Sequence, residues 1–547
     1  MSASEFADPV RVEALYGDRL VPCYADRPRN LDAMIRRAVA LRPQATAVED
    51  EQRTLSYAQL DSLANRLAHA LAARGIAPGD RVATFLGNGA EFIVLLAALW
   101  RMDAIAVPVG TRQSADELAY MLSHCEAAAL VFDAELAERV PSAERIPSVR
   151  HLVRVDSDAS LEPSSPEATE FWQLLEEGSD SAWHAEFDDQ HAACIMYTSG
   201  TTGQPKGAVL THLGFFHTAR HYERVFGYRH DDRMLLVIPG SHISGLLAVV
   251  VVMLQVGGCV VCMRQFQAEA VLEKVETHRI TAAVMVPAMY NLCLLVPGLA
   301  QRDLSCWRIG HFGGAAMPEI TIQKLAELLP GLELYNGFGA TETTSAVTLT
   351  RTGDAARHLD SVGTVVPCVD IRVLDEEGRE VPIGQAGELW IRSPGNARAY
   401  WNNPDATRAA FVAGYWRSGD VGSIDAAGFV RVFDRLKDMI NRGGFKVYCV
   451  ELENTLQRFP GVIEAAAVAS PCPVLGERIH VYLHAHEPID PQSVRNFCRD
   501  SLADYKTPDH ITISDTPLPR NLNGKIVKAT LRERARAHAA AASHLTH

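Results

Sequence analysis

The chain lacks the G-x-x-x-x-G-K-[ST] phosphate loop of ATPases and GTPases, a disulfide framework, an excess of positive charge and an unbroken apolar run of membrane length. Each absence excludes a class. The balance of 52 basic against 66 acidic residues leaves a net charge of −14, so nucleic acid is not the partner. Eleven cysteines, an odd number scattered from Cys23 to Cys498, make no disulfide framework and fit a reduced, cytoplasmic protein. The opening residues, Met1 to Asp8, carry an early acid and no apolar segment, unlike a secretory leader. Leu246 to Met263 is apolar except at Gln255 and its glycines, but Gly257-Gly258 divides it. A buried helix followed by a buried parallel strand is therefore predicted there, and no membrane span. Cys259-x-x-Cys262 stands alone in that strand and reads as a pair of small buried hydrophobes. His217 and His221, four apart on a predicted helix, have no third ligand nearby and read as solvated or capping histidines.

A chain of 547 residues is too long for one core, and about two to four domains are expected. Helical and strand patterns alternate from about Asn30 to Gly110: Leu60 to Arg74 at helical spacing with Gly75 after it, a strand over Val82 to Leu86, a helix over Phe92 to Trp100. Such alternation implies a layered α/β domain with parallel sheet. Residues 155–190 are acidic with Ser and Pro and read as surface structure. From Val362 to about Phe433 short strands and turns predict a β-rich subdomain, and beyond Lys437 a smaller α/β unit begins. The predicted domains are 1–436 and 437–547, and the alanine-rich tail from Arg532 is expected to fray.

What is present instead of the ATPase loop is Tyr197-Thr198-Ser199-Gly200-Thr201-Thr202-Gly203-Gln204-Pro205-Lys206-Gly207. Glycines let backbone N–H groups approach an anion closely, hydroxyls add donors, and Lys206 adds a positive charge. Pro205 precedes the lysine and no Ser or Thr follows it, so the polyphosphate is gripped in a different manner from that of the ATPase loop.

Four further stretches follow in order: Tyr335-Asn-Gly-Phe-Gly-Ala-Thr-Glu342, Tyr415-Trp-Arg-Ser-Gly-Asp420, Asp434-Arg435 through Gly443-Gly444, and Pro519-Arg-Asn-Leu-Asn-Gly-Lys525. With the glycine-rich loop they resemble the adenylate-forming superfamily of acyl- and aryl-CoA synthetases, peptide-synthetase adenylation domains and firefly-type luciferases, over residues of about 30 to 535. The resemblance implies a large multilayered α/β N-terminal domain with a β-rich subdomain and a small mobile C-terminal domain. It also implies an enzyme that uses ATP and Mg2+ to convert a carboxylic acid to an acyl-adenylate with release of pyrophosphate, and then passes the acyl group to coenzyme A.

Residue by residue, it places the β- and γ-phosphates on Thr198, Ser199, Gly200, Thr201, Thr202, Gly203 and Lys206, and the metal on Glu342. Thr341 lies at the α-phosphate, Phe338 stacks on adenine beside Gly339, and Gly314 and Ala315 line the purine's other side. Asp420 and Arg435 hold the ribose hydroxyls, a carboxylate being suited to accept two hydrogen bonds from a diol. Lys525 bridges the substrate carboxylate and the α-phosphate. Lys437 is the hinge, and Gly443 and Gly444 leave room for the thiol-bearing arm. The chain departs from the family pattern at Cys449, usually proline, and at Asn521, usually threonine.

His242, His311, Phe312, Gly313, Ala340 and Ser345 are expected in the acyl pocket. The segment Ile238 to Leu246 carries no aspartate to pair with a substrate ammonium, so an apolar or aromatic acid is favoured over an α-amino acid. An acyl-carrier protein in place of CoA is the alternative acceptor, a non-catalytic sensor is a third reading, and a homodimer is left open.

Overall fold

The computed structural model describes residues 8–156, 168–198, 204–314, 317–485, 487–520 and 526–544. The predicted residues Ser199, Gly200, Thr201, Thr202, Gly203, Ala315, Asn521 and Lys525 lie outside them. The chain divides into two compact units: Met1–Ile371 with Trp390–Arg417 and Gly428–Val430, and Arg372–Leu389 with Ser418–Ala427 and Arg431–His547. Both are α/β, one large and one small.

The larger unit contains two sheets built mainly of parallel strands. In the seven-stranded sheet the strands Ile105–Pro108, Arg81–Phe85, Ala129–Asp133 and His151–Val155 run parallel side by side. The antiparallel hairpin Ala192–Thr198 and Lys206–Thr211 closes one edge. In the nine-stranded sheet Glu333–Ala340, Ile309–Gly313, Ala282–Val284, Arg233–Leu236 and Cys259–Cys262 are parallel neighbours. Helix starts and stops follow local chemistry. Ser56 and Gln59 form a reciprocal capping box at the start of Tyr57–Ala73, and Gly75 after it adopts φ 77°. Ala90–Arg101 is apolar on every face and buried throughout, and its one basic residue, Arg101, is held by Asp32 and Asp61.

The stretch from Leu246 is helix and then strand, as its glycine break predicts. Leu246–Val251 is a π-helical turn, Val252–Val256 continues it, Gly257 at φ 74° ends it, and Cys259–Cys262 is fully buried in the sheet. Among the described residues no helix is long and apolar enough to cross a membrane. The cysteines are free, and burial pushes the Cys259 thiol up to about 11.

Two expectations fail. His217 and His221 are neither solvated nor capping; both are buried, and burial lowers each to about 3. The Nε2 of His217 accepts from the Tyr24 N–H at 2.9 Å and its Nδ1 donates to the Leu213 carbonyl at 3.0 Å, so the hydrogen bonds that water would have supplied come from protein. Among the described residues no three or more His, Cys, Asp or Glu side chains cluster as a metal site, at these histidines or elsewhere. The alanine-rich tail is also ordered differently. Lys528–His544 is a helix, and Leu531 and Ala535 are buried against Ala466, Val468, Tyr482 and Leu518. Alanine favours the helix and two side chains at i and i+4 suffice to dock it.

In the smaller unit the sheet comprises Phe445–Val447, Ile440–Arg442, Gly476–Ala485 and Val462–Cys472 in that order, with His510–Ser514 alongside Gly476–Ala485. Cys449–Leu456 and Pro491–Ser501 contribute Leu452, Leu456, Val494 and Cys498 to its core. The predicted β-rich stretch is present as Asp370–Leu374, Gly387–Arg392, Tyr415–Ile424 and Val430–Arg435.

Candidate active site

The two ends of the glycine-rich loop are brought face to face by the antiparallel register Thr198↔Lys206. Segment 398–401 pairs with the outer strand of this hairpin: Arg398 N donates to the Val209 carbonyl at 2.9 Å and Trp401 N to that of Gly207 at 2.7 Å. That pairing delivers Tyr400. Its hydroxyl donates to Oε1 of Glu342 at 2.9 Å, and Lys206 Nζ lies 5.3 Å from its ring centroid. The Thr198 hydroxyl reaches the same Glu342 oxygen at 3.4 Å. A half-buried carboxylate, a lysine, a threonine and a tyrosine thus converge at the loop's base. Tyr400 carried no motif signal: it is 58 residues from Glu342 and 194 from Lys206 in sequence, and only the strand pairing joins them.

Glu342 is the middle residue of the turn Thr341–Thr343, which directly follows the strand Glu333–Ala340. The turn is tight. Thr343 Oγ1 accepts from Ala340 N at 2.9 Å and donates to the Ser345 carbonyl at 2.7 Å. Thr344 and Ser345 have φ of 50° and 87°, conformations that residues with a side chain rarely adopt. Gly339 lies under this turn, and a Cβ there would sit 1.9 Å from the Ser345 carbonyl oxygen, so only glycine fits. Phe338 is half-buried on the same strand, and Gly314 follows the neighbouring strand with φ 75°.

Strand alternation sorts the predicted pocket residues. His311 and Gly313 share one face of Ile309–Gly313, whereas Phe312 points to the other and packs in the core of Leu334, Met317 and Ile322. Phe312 is therefore a core residue and not a pocket residue. His311 is 4% exposed, and burial lowers it to about 3, so the imidazole is neutral. It lies against Tyr222 and Phe226 of the helix His212–Phe226, with ring centroids 5.3 Å away in each case. The Tyr222 hydroxyl is 3.1 Å from Ser345 Oγ. In the sequence Tyr222 carries no signal of its own, since its spacing marks only a helix face. His242 is half-buried and immediately precedes the turn Ile243–Gly245 and the π-helical Leu246–Val251.

In the smaller unit Asp420 and Arg435 form an ion pair, Nε to Oδ1 at 2.6 Å, and the guanidinium also donates to the Ser418 carbonyl at 3.1 Å. Asp420 is buried and Arg435 exposed, so the acid is held in place by its partner. Lys437 is exposed just beyond. Gly443 and Gly444 have φ of 61° and 94° and connect Ile440–Arg442 to Phe445–Val447, a two-residue hairpin that requires positive φ at both positions. A Cβ at Gly444 would meet nothing within 4 Å. The departure at Cys449 has a structural use: its backbone N–H donates to Asp434 Oδ2 at 2.6 Å, a bond that proline could not make.

A lysine, two hydroxyls and a carboxylate gather where the hairpin strands meet the glycine-rich connection, an arrangement suited to an anionic ligand. Comparison with known proteins supplies the class. The model of the AMP-binding enzyme matches residues 35–401, and that of the AMP-binding enzyme C-terminal domain matches residues 451–525. The chain belongs to the AMP-binding enzyme family. It is 34% identical over 515 residues to the long-chain-fatty-acid–CoA ligase FadD13 of Mycobacterium tuberculosis, covering 92% of this chain and 98% of that one. It is also 34% identical over 507 residues to the fatty acid–[acyl-carrier-protein] ligase ScoC of Streptomyces coeruleorubidus, covering 90% and 94%. The crystal structure of the anthranilate CoA ligase AuaEII in complex with anthranoyl-AMP superposes with a TM-score of 0.86 at 26% identity, covering 93% and 98%.

Proposed function

We propose that the protein is an AMP-forming acid–thiol ligase that makes an acyl- or aryl-CoA thioester. The observation that carries this reading is the Thr198–Glu342–Tyr400–Lys206 cluster at the base of the phosphate hairpin. In the first half-reaction a carboxylate oxygen of the acid attacks the α-phosphorus of ATP, the bond to the β-phosphate breaks, and pyrophosphate leaves. In the second the thiol sulfur attacks the acyl carbon, AMP departs, and the thiol proton is lost.

The protein contributes position and charge rather than covalent chemistry. Lys206 and the loop hydroxyls hold the β- and γ-phosphates. Glu342 suits Mg2+, being an oxygen donor half open to solvent with its carboxylate oriented by Tyr400 and Thr198; when bound, the metal neutralises the polyphosphate charge. Thr341, next along the chain, addresses the α-phosphate. Phe338 stacks on adenine with Gly314 and Ala315 opposite. The Asp420–Arg435 pair receives the ribose hydroxyls, the buried acid accepting from the diol. Lys525 bridges the acid and the α-phosphate. Between half-reactions the C-terminal domain, residues 437–547, turns about Lys437 and presents Gly443 and Gly444 to the pantetheine arm, where the open space around Gly444 suits a close approach. His242, His311, Gly313, Ala340 and Ser345 surround the acyl group.

A second reading, transfer to an acyl-carrier protein, is favoured by the similarity to ScoC. Both acceptors offer the same pantetheine thiol. The test is ATP-dependent pyrophosphate release over a panel of carboxylic acids with and without CoA, while thioester is followed by mass. Acid-dependent release with an acyl-CoA product is expected. Release with no CoA thioester would move the acceptor to a carrier protein, and no release with any acid would contradict the activity.

A further inference from the structure

His311 sits in a place where a buried imidazole is costly. It is 4% exposed, and neither ring nitrogen has a hydrogen-bond partner. A buried donor and acceptor left unmade carry a penalty that folded proteins avoid unless something else satisfies them. Its surroundings show what that could be. The parallel register sets His311 opposite Tyr335 and, two residues on, Gly313 opposite Gly337. All four share one sheet face. His311 and Tyr335 are buried, while Gly313 and Gly337 are half-buried and bear no side chain. A Cβ at Gly337 would lie 3.0 Å from His311 Nε2. The glycine pair therefore keeps side-chain bulk of its own off the approach to Nε2, which Leu349 and Ala346 border.

The walls are equally specific. Tyr222 and Phe226 flank the ring, and the Tyr222 hydroxyl is tied to Ser345, whose φ of 87° is a strained conformation at the same spot. Such strain persists at sites where function requires it. Tyr222, Phe226, Tyr290, Tyr335, Val284 and Met285 adjoin His311, and none is charged. A carboxylate or ammonium there would be desolvated without a counter-ion. A neutral imidazole presents at Nε2 either an N–H or a lone pair, according to its tautomer, which suits a neutral group that accepts or donates there.

We infer that His311 determines specificity: the acid activated here carries an uncharged hydrogen-bonding group, such as a hydroxyl, a keto oxygen or an aromatic amine, distant from its carboxylate. The inference rests on the ligase reading and on the acyl pocket it implies. Reach limits the substrate. Gly337 is four residues before Thr341, so the two positions lie within about 14 Å of each other, the span of four extended residues. That span favours a hydroxylated aryl-propenoic acid or a medium-chain hydroxy acid over a long-chain acid with a terminal hydroxyl.

The test is ATP–pyrophosphate exchange with two matched pairs, 4-hydroxycinnamate against cinnamate and 8-hydroxyoctanoate against octanoate, within a wider acid panel. In the pair with the higher turnover the hydroxylated acid should be favoured by about 10- to 100-fold in kcat/KM, because the plain acid leaves His311 unpaired. His311→Leu should bring the two members of the pair level, by removing the advantage of the hydroxylated acid. His311→Gln, which keeps a hydrogen-bonding group, should retain part of the preference. Equal use of both members by the unaltered protein, or a preference that survives His311→Leu, would overturn the inference while leaving the ligase intact. Absence of exchange with every acid would instead overturn the ligase reading on which it rests.

Discussion

Two parts of the larger unit make opposite use of polar groups. At the glycine-rich hairpin the polar side chains hold one another: Tyr400 and Thr198 both bond Glu342, and Lys206 rests over Tyr400. Around His311 the imidazole is unpartnered and a glycine pair lies on its approach. A preorganised cluster costs nothing to assemble at the moment of reaction, which suits a step common to every substrate. An unpaired group waits for a particular ligand, which suits selection. The difference teaches where chemistry and choice are kept apart in this fold.

The comparison can be broken at Glu342. Replacing it by Gln keeps the shape and removes the charge, and should slow pyrophosphate release by roughly 10²–10³-fold for every acid alike. A loss that depended on the acid would mean the two parts are not separate. Gly339 lies in the strand that links them. Gly339→Ala would press a Cβ into the Ser345 carbonyl at 1.9 Å, and should lower unfolding stability by about 1–3 kcal/mol or more in urea titration. An unchanged midpoint would show that the turn relaxes freely.

Acid should act on the buried imidazoles. His212, His217, His221 and His311 each fall from an ordinary 6.5 to about 3 because burial disfavours the charged ring. Between those values the unfolded chain takes up protons that the folded chain refuses. Stability is thus present above pH 6.5 and lost as pH falls toward 3, by up to about 1.4 kcal/mol per pH unit for each histidine. Calorimetric melting from pH 7 to 5 should show it, and His311→Leu should shallow the slope. The smallest effect is expected at Tyr400→Phe, which loses one hydrogen bond to Glu342 but keeps the ring under Lys206. It should raise the KM for ATP by about fivefold, near 1 kcal/mol, and leave the ranking of acids unchanged.

Much of the fold was legible because its signals are local. Ser56 with Gln59, Gly75 and Gly257 mark helix ends by their own chemistry, and the glycine-rich loop announces an anion by composition. What escaped depends on distant partners. Tyr400 is placed by strand pairing and Tyr222 by helix packing, and neither leaves a mark at its own position. Phe312 shares the local signal of His311 and Gly313, yet strand alternation sends it to the opposite core. His217 and His221 looked solvated because the backbone groups that satisfy His217 lie at Tyr24 and Leu213. The tail looked loose because the cluster that buries Leu531 and Ala535 comes from elsewhere in the C-terminal unit.

The most direct measurement of the separation is the full acid profile of His311→Leu in ATP–pyrophosphate exchange, taken together with its KM for ATP. The separation predicts a reordered acid ranking with a KM for ATP within roughly twofold of the parent, since only ground-state binding of the acid is altered. An unchanged ranking with an altered KM for ATP would contradict it.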